Sequence, residues 1–122
     1  MMAIEELKAL TEGQWIFTCD MKPKQFKAFD AEKNPADYNR ASFTDETWEL
    51  FSKYNHFTTL EGNSHSVKNC TCKPVSENYA LWFIKNKCWE LFPKNQDICN
   101  WDEYEAAVKA LCIKDGIEYE GI

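Results

Sequence analysis

Residues 79–92 read Tyr-Ala-Leu-Trp-Phe-Ile-Lys-Asn-Lys-Cys-Trp-Glu-Leu-Phe, two apolar runs on either side of Lys85-Asn86. Aromatic and branched side chains favour β-strands, and asparagine tolerates the positive φ of a tight turn. The stretch therefore predicts a β-hairpin. Because strand side chains alternate between two faces, the pattern also predicts which residues share a face. The predicted core face carries Trp82, Ile84, Trp89 and Leu91, and the opposite face carries Tyr79, Leu81, Phe83 and Phe92 together with Cys88 and Glu90.

The segments around this hairpin predict four helices and two further strands. Helices are expected at residues 3–12, from Pro23 to Asn34-Pro35, after a Thr44 cap, and from Asn100 to a stop at Gly116. Strands are expected at 14–20 and 56–60, since apolar and polar residues alternate in the first of them. This order predicts an α+β fold, in which a small antiparallel sheet that includes hairpin 79–92 packs on one face against three to four helices.

The length of the chain, 122 residues, is close to the commonest domain size. We therefore expect one compact α+β domain over residues 1–122. One long polar stretch interrupts it at about residues 61–78, and connections of that length are usually functional or disordered.

The charge balance of the chain is acidic, with a formal net charge of −6 and Arg40 as the single arginine. Nucleic-acid binders rely on clustered lysines and arginines, so this composition disfavours nucleic acid as a partner. From Asp97 onward, the chain contains seven carboxylate residues and only two lysines. The C-terminal region is therefore expected to repel anions.

The location predicted from the sequence is the cytoplasm. The N-terminus lacks the basic start and apolar run of a secretory signal, and no stretch approaches the roughly 18 apolar residues of a membrane span. No membrane partner is expected. The six cysteines are accordingly interpreted as reduced thiols rather than as disulfides.

The sequence contains no strong catalytic or metal-binding pattern. His65, Cys70 and Cys72 cluster in the 61–78 stretch, but a lone C-x-C lacks the second matched pair of a structural zinc site. Its fourth ligand would have to be His56, Cys88 or Cys99. Either histidine could also activate a cysteine nucleophile, yet no family signature supports this. The prediction is therefore a protein that is not an enzyme and has no cofactor and no metal site, with a zinc- or cysteine-dependent enzyme ranked third.

Binding features are more evident than catalytic ones. Apolar rings on both faces of the hairpin suggest a partner, a dimer or a pocket, because a small sheet buries one face against its helices. A basic patch and Arg40 could each hold an anionic group. A solvated face is the better explanation of the patch, and a structural ion pair explains Arg40 equally well. The patch consists of Lys22, Lys24 and Lys27. The predicted binding residues are Tyr79, Leu81, Phe83, Phe92, Arg40, Glu103 and Glu105.

In size, acidity and richness in tryptophan and cysteine, the chain resembles small accessory proteins of bacteriophages and prophages. The segments that prompt this comparison are 13–16 (GQWI), 43–51 (FTDETWELF) and 86–92 (NKCWELF). The resemblance implies a phage-encoded inhibitor of a host or defence protein, acting in the host cytoplasm. We therefore expect a non-enzymatic protein that inhibits or modulates a macromolecular partner, most simply a protein. The alternatives left open are a protein that sequesters a small anionic ligand, and a homodimer.

Overall fold

The computed structural model describes residues 4–18, 21–30, 35–67, 72–92 and 101–122. Four α-helices and five β-strands lie within these ranges, with short 3-10 helices between them. The helices are α1 (Ile4–Lys8), α2 (Asp45–Phe51), α3 (Glu77–Lys85) and α4 (Trp101–Asp115). The strands are β1 (Trp15–Phe17), β2 (Pro23–Phe29), β3 (His56–Thr59), β4 (Ser64–Ser66) and β5 (Lys73–Pro74). The 3-10 helices are Pro35–Asp37, Arg40–Ser42 and Cys88–Leu91.

The five strands form one antiparallel sheet in the order β4-β3-β2-β1-β5. The predicted α+β class with a small antiparallel sheet is therefore confirmed. In the β1–β2 pair Trp15 lies opposite Gln25 and Phe17 lies opposite Pro23. The pairing of β2 with β3 begins at Phe26 and contains a register shift between Phe26 and Ala28.

Helices cover both faces of the sheet, which corrects the prediction of helices on one face only. Alternation along β1 sends Ile16 into one core and Phe17 into the other. The first core joins the sheet to α1 and α2, and the second joins it to α3 and α4. The first core contains Leu7, Leu10, Ile16, Phe26, Leu50, Phe57, Val67 and Cys72. The second contains Phe17, Val75, Tyr79, Ala80, Trp82, Phe83, Cys88, Tyr104, Val108 and Cys112.

Several predicted elements are present. The predicted strand at His56 is β3, and β1 lies within the predicted strand 14–20, of which Cys19 and Asp20 are outside the described residues. Helix α2 begins after Thr44, whose hydroxyl accepts from the Thr47 backbone N–H while the Thr47 hydroxyl accepts from that of Thr44. This reciprocal cap satisfies two backbone donors that the helix itself leaves unpaired. The final helix is also present, but its predicted cap Asn100 lies outside the described residues.

The predicted hairpin 79–92 is wrong, because residues 77–85 form helix α3 and residues 88–91 form a 3-10 helix. Ser76 caps α3 by accepting a hydrogen bond from the Tyr79 backbone N–H. Asn86, predicted as a hairpin turn residue, instead ends the helix and donates its side-chain N–H to the Trp82 carbonyl. Lys87 follows with a φ of 48° and separates the two helical pieces.

The helix changes which of these side chains are buried. Tyr79 and Phe83 are four residues apart, so they lie on one face of α3 and are 1% and 0% exposed. Leu81, predicted on the same face as both, points outward and is 48% exposed. The predicted core face is also wrong in part, since Trp82 is buried but Leu91 is exposed. The alternation expected of a strand therefore assigned the side chains of this segment to the wrong faces.

The predicted helix from Pro23 is also wrong, because residues 23–29 form β2. Proline is tolerated at the first residue of a strand as well as in the first turn of a helix, so it did not discriminate between them. Pairing with both β1 and β3 supplies the hydrogen bonds that favour the strand. The predicted helix end at Asn34 lies outside the described residues.

The polar stretch 61–78 contains more structure than the predicted loop. It includes β4, β5 and the start of α3, while residues 68–71 lie outside the described part of the chain. Strand β4 pairs with β3 and strand β5 pairs with β1, so the stretch supplies both edges of the sheet.

The C-terminal segment is fastened to α3. The Glu120 carboxylate accepts hydrogen bonds from the Ser76 backbone N–H at 2.7 Å and from its hydroxyl at 2.5 Å. The buried Tyr79 hydroxyl donates to the Gly121 carbonyl at 2.5 Å. Near the end of α4, Asp115 accepts from the Trp82 indole N–H at 2.9 Å. Residues 115–121 thereby hold α3 and α4 together.

Replacing Phe83 or Leu81 with alanine distinguishes the helix from the predicted hairpin. We expect Phe83→Ala to lower the free energy of unfolding by about 3–5 kcal/mol, because it empties a fully buried site. Leu81→Ala should change it by less than about 0.5 kcal/mol, since the side chain is half-exposed and alanine favours a helix. Urea denaturation followed by circular dichroism measures both. Equal losses in the two variants would contradict the helical assignment.

Two buried tyrosines offer a second comparison. Among the described residues, no atom hydrogen-bonds the buried hydroxyl of Tyr104. We expect Tyr104→Phe to raise the free energy of unfolding by about 1 kcal/mol, because an unpaired buried hydroxyl is costly. Tyr79→Phe should lower it by about 1 kcal/mol, because it removes the bond to Gly121. The same denaturation experiment checks both, and a loss in Tyr104→Phe would show that its hydroxyl has a partner.

Candidate functional site

The structure does not bring the predicted hairpin residues together on one surface. Tyr79 and Phe83 lie inside the second core, whereas Leu81 is exposed on α3. Phe92 is half-buried and packs edge-on against Trp101 and Tyr104. Two of the four side chains are therefore in the interior, and the other two lie on different elements at the surface.

Arg40 is engaged within its own segment. Its guanidinium pairs with Asp45 at 2.5 Å and donates to the Phe43 carbonyl at 3.2 Å. It also lies over the Trp48 ring, 5.1 Å from the ring centroid. The structural ion pair considered from the sequence is present, and together with the ring contact it links the Arg40–Ser42 turn to α2.

The two predicted acidic residues lie on α4 at different depths. Glu103 is exposed, and Glu105 is half-buried and pairs with Lys109 one turn later at 2.8 Å. The Lys109 ammonium also lies 5.1 Å from the centroid of the Tyr119 ring. Glu105 is therefore part of an internal contact between α4 and the C-terminal segment.

A cavity of about 370 Å³ combines charged and aromatic side chains from four segments of the chain. We call it the lysine pocket. Its lining comes from the β1–β2 turn and the start of β2, the β3–β4 turn, the end of α3 and the 3-10 helix that follows α3. The lining residues are Lys22, Pro23, Lys24, Glu61, Ile84 and Trp89.

Lys24 is the most unusual member of the lysine pocket, because this charged residue is only 7% exposed. It lies opposite Ile16 in the β1–β2 register, at the end of β2 where pairing with β3 has not yet begun. Its ammonium is 3.8 Å from the carboxylate of Glu61, which is itself exposed. That separation is longer than the roughly 2.7–2.9 Å of a strong charge-assisted hydrogen bond. Because the protein excludes water around it, the charge of Lys24 is less screened by solvent than the charge of an exposed lysine.

Lys22 and Trp89 form the other side of the lysine pocket. The Lys22 ammonium lies over the Trp89 ring, 4.7 Å from its centroid. Lys22 is exposed, whereas Trp89 is half-buried and packs against the second core. An exposed cation–π contact contributes only about 0.5–1 kcal/mol, so Lys22 can leave the ring at little cost.

Backbone strain occurs close in sequence to two residues of the pocket lining, Lys22 and Trp89. Among the described residues, Met21 and Lys87 are the non-glycine residues with positive φ, at 65° and 48°. Met21 directly precedes Lys22, and Lys87 lies two residues before Trp89. Such conformations cost of the order of 1–3 kcal/mol and are concentrated at functional sites. The lysine pocket, with its buried charge and its aromatic ring, is the candidate site that we consider further.

The candidate metal and cysteine sites gain no geometric support from the described residues. Within those ranges no three histidine, cysteine, aspartate or glutamate side chains are placed to hold a metal ion. Cys70 and Cys99 lie outside them. Cys72, Cys88 and Cys112 are buried free thiols, and burial raises the pKa of Cys88 to about 12 and also raises that of Cys112. Both thiols with raised pKa values are therefore protonated at neutral pH and are poor nucleophiles.

Sequence reasoning found part of the lysine pocket and missed its partners. The sequence identified Lys22, Lys24 and Lys27 as a basic patch beside a predicted helix. The segment from Pro23 is instead strand β2, and of the three lysines Lys22 and Lys24 line the pocket whereas Lys27 does not. Trp89 and Ile84 were both assigned to the core face of the predicted hairpin, and no sequence pattern pointed to Glu61 as a member of a site. These residues are separated by up to 67 positions along the chain, so only the fold brings them together.

Comparisons with models of known protein families, with curated proteins and with solved structures returned no match. The site is therefore interpreted from its own geometry. No helix within the described ranges has the length and apolar character needed to cross a membrane.

Proposed function

We propose that this chain is a binding protein for a small anionic molecule, which it holds in the lysine pocket. The observation that carries the proposal is the buried Lys24 beside a cavity of about 370 Å³. The cavity lies within the range of about 300–1,000 Å³ that is typical of small-molecule sites. A binding role, rather than catalysis, fits a site that contains two amines, one carboxylate and one indole.

The sign of the charge in the pocket supports an anionic ligand. Two ammonium groups and one carboxylate give the lining a net positive charge, although the whole chain carries −6. A partly enclosed cavity strengthens electrostatic attraction, because it excludes part of the screening water. A bound anion would therefore be attracted by two ammonium groups, of which that of Lys24 is almost enclosed by the protein.

Lys24 and Lys27 provide a matched test of this proposal. We expect the unmodified chain to bind pyrophosphate, and Lys24→Met to weaken the binding at least about ten-fold, since a desolvated charge pair contributes more than an exposed one. Lys27→Met should change the affinity less than about two-fold, because Lys27 is exposed and does not line the pocket. Isothermal titration calorimetry measures the affinities.

Both variants change the net charge equally, so their difference isolates the pocket from the overall field. Lys24→Met should also fold at least as stably as the unmodified chain, because methionine replaces a buried charge with an apolar chain of similar length. Absence of pyrophosphate binding, or equal effects of the two substitutions, would refute an anion site in the pocket.

Protein binding is a second candidate function, and the exposed apolar residues of α4 favour it. Trp101 is 47% exposed and Ile113 is 83% exposed. Asp102 and Glu103, both exposed, follow Trp101 in the first turn of the helix. Large apolar side chains bordered by charge are typical of protein-binding surfaces. We propose a second copy of the chain as the partner, because most oligomers of soluble proteins are formed by identical chains.

Self-association can be tested at Ile113. If α4 lies in a homodimer interface, Ile113→Lys should shift the mass measured by light scattering from dimer toward monomer at the same concentration. The charge would have to be buried in the interface, which is unfavourable. Ala110→Lys, at another exposed position of α4, controls for added charge. A monomer mass for the unmodified chain across the concentration range would eliminate this candidate.

A further inference from the structure

We infer that the ligand of the lysine pocket joins its anionic group to a planar aromatic ring, and that a nucleoside monophosphate is the simplest class with this chemistry. The inference rests on the proposed function and identifies the ligand class. It is drawn from the positions of Trp89, Lys22 and Glu61 relative to Lys24.

Trp89 provides a surface on which a ring can stack. It is held in the 3-10 helix Cys88–Leu91, and its ring centroid lies 6.4 Å from that of Phe83, which is fully buried. The indole is therefore supported by the core, yet part of it remains accessible and lines the pocket. A rigid aromatic side chain with one supported side is well suited to stacking with a nucleobase.

Lys22 currently occupies the position over this ring. Its ammonium lies 4.7 Å from the Trp89 centroid, and the side chain is exposed and flexible. The face of an indole attracts both cations and planar rings, so a base can replace the ammonium there. Lys22 would then be displaced toward the anionic group, where its charge also favours binding.

Glu61 explains why a bare anion is an incomplete match for the pocket. Its carboxylate lines the cavity beside Lys24 and repels a simple anion. An ionised carboxylate only accepts hydrogen bonds, so it requires a ligand that supplies donors. Ribose hydroxyls and the exocyclic amino group of a base are such donors, and they are present in one molecule together with the phosphate.

Three probes separate these contributions in one calorimetric series. Adenosine 5′-monophosphate presents the ring, the hydroxyls and the phosphate. Ribose 5-phosphate lacks the ring, and adenosine lacks the anion. We expect the monophosphate to bind the unmodified chain about ten-fold or more tighter than ribose 5-phosphate, and adenosine to bind more weakly than the monophosphate.

Trp89 substitutions assign the gain to stacking. In Trp89→Leu, the affinity for the monophosphate should fall to within about two-fold of the affinity for ribose 5-phosphate. In Trp89→Phe, most of the difference between the two affinities should remain, because phenylalanine also offers an aromatic face. Circular dichroism verifies that each variant folds. If Trp89→Leu does not fold, the comparison of the three probes on the unmodified chain still decides the question.

The outcomes distinguish this inference from the proposed function. Equal affinities for the monophosphate and ribose 5-phosphate would overturn the aromatic ligand class and leave an anion site in place. Equal affinities for the monophosphate and adenosine would refute the anion site itself. A ring-dependent gain that persists in Trp89→Leu would place the ring elsewhere and overturn the inference.

Discussion

The fold depends on the burial of β1 on both of its faces. Ile16 and Phe17 are adjacent in sequence, yet each lies at the centre of a different core and both are almost completely inaccessible. Each buried side chain of this size contributes roughly 1.5–3 kcal/mol relative to an exposed one. A three-residue strand can occupy this position because β2 and β5 pair with its two edges. The two helical layers are therefore joined through one short strand.

The same strand positions the lysine pocket. The β1–β2 register places Phe17 opposite Pro23, which fixes where the turn ends and β2 begins. On the helical side, the Phe17 ring meets the Phe83 ring edge-on at 4.8 Å, and Phe83 in turn contacts Trp89. Lys22 comes from the β1–β2 turn and Lys24 from β2, whereas Trp89 comes from the helical layer, and Phe17 packs between the strand and that layer. The position of the indole in the site thus depends on the second core.

The sequence predicted the elements whose local signals agreed with their packing. Thr44 marked the start of α2, and the apolar spacing of α4 with Gly116 after it marked the final helix. The prediction for residues 79–85 was wrong because the run is apolar at almost every position, so both the strand period and the helical period fit it. Ser76 was an available cap signal, and it would have favoured the helix.

At Pro23 the local sequence is compatible with the start of either a helix or a strand, and only long-range pairing with β1 and β3 selects the strand. The pocket was predictable only as a pair of nearby lysines, because its carboxylate and indole lie far away in sequence.

Net charge is a weak guide to what this chain binds. Many of its carboxylates are engaged by groups of the chain itself: Glu120 accepts from Ser76, Asp115 accepts from Trp82, and Asp45 pairs with Arg40. Such internal contacts localise negative charge where it stabilises helix ends and ion pairs, and at about 0.1 M ionic strength screening limits the reach of an exposed charge to about 10 Å. Lys22 and Lys24 lie beside a single carboxylate of the pocket lining, so the local sign is opposite to the global one. A strongly acidic composition argues against extended phosphate backbones, which require a broad basic surface, but it does not argue against one small anion held by two ammonium groups.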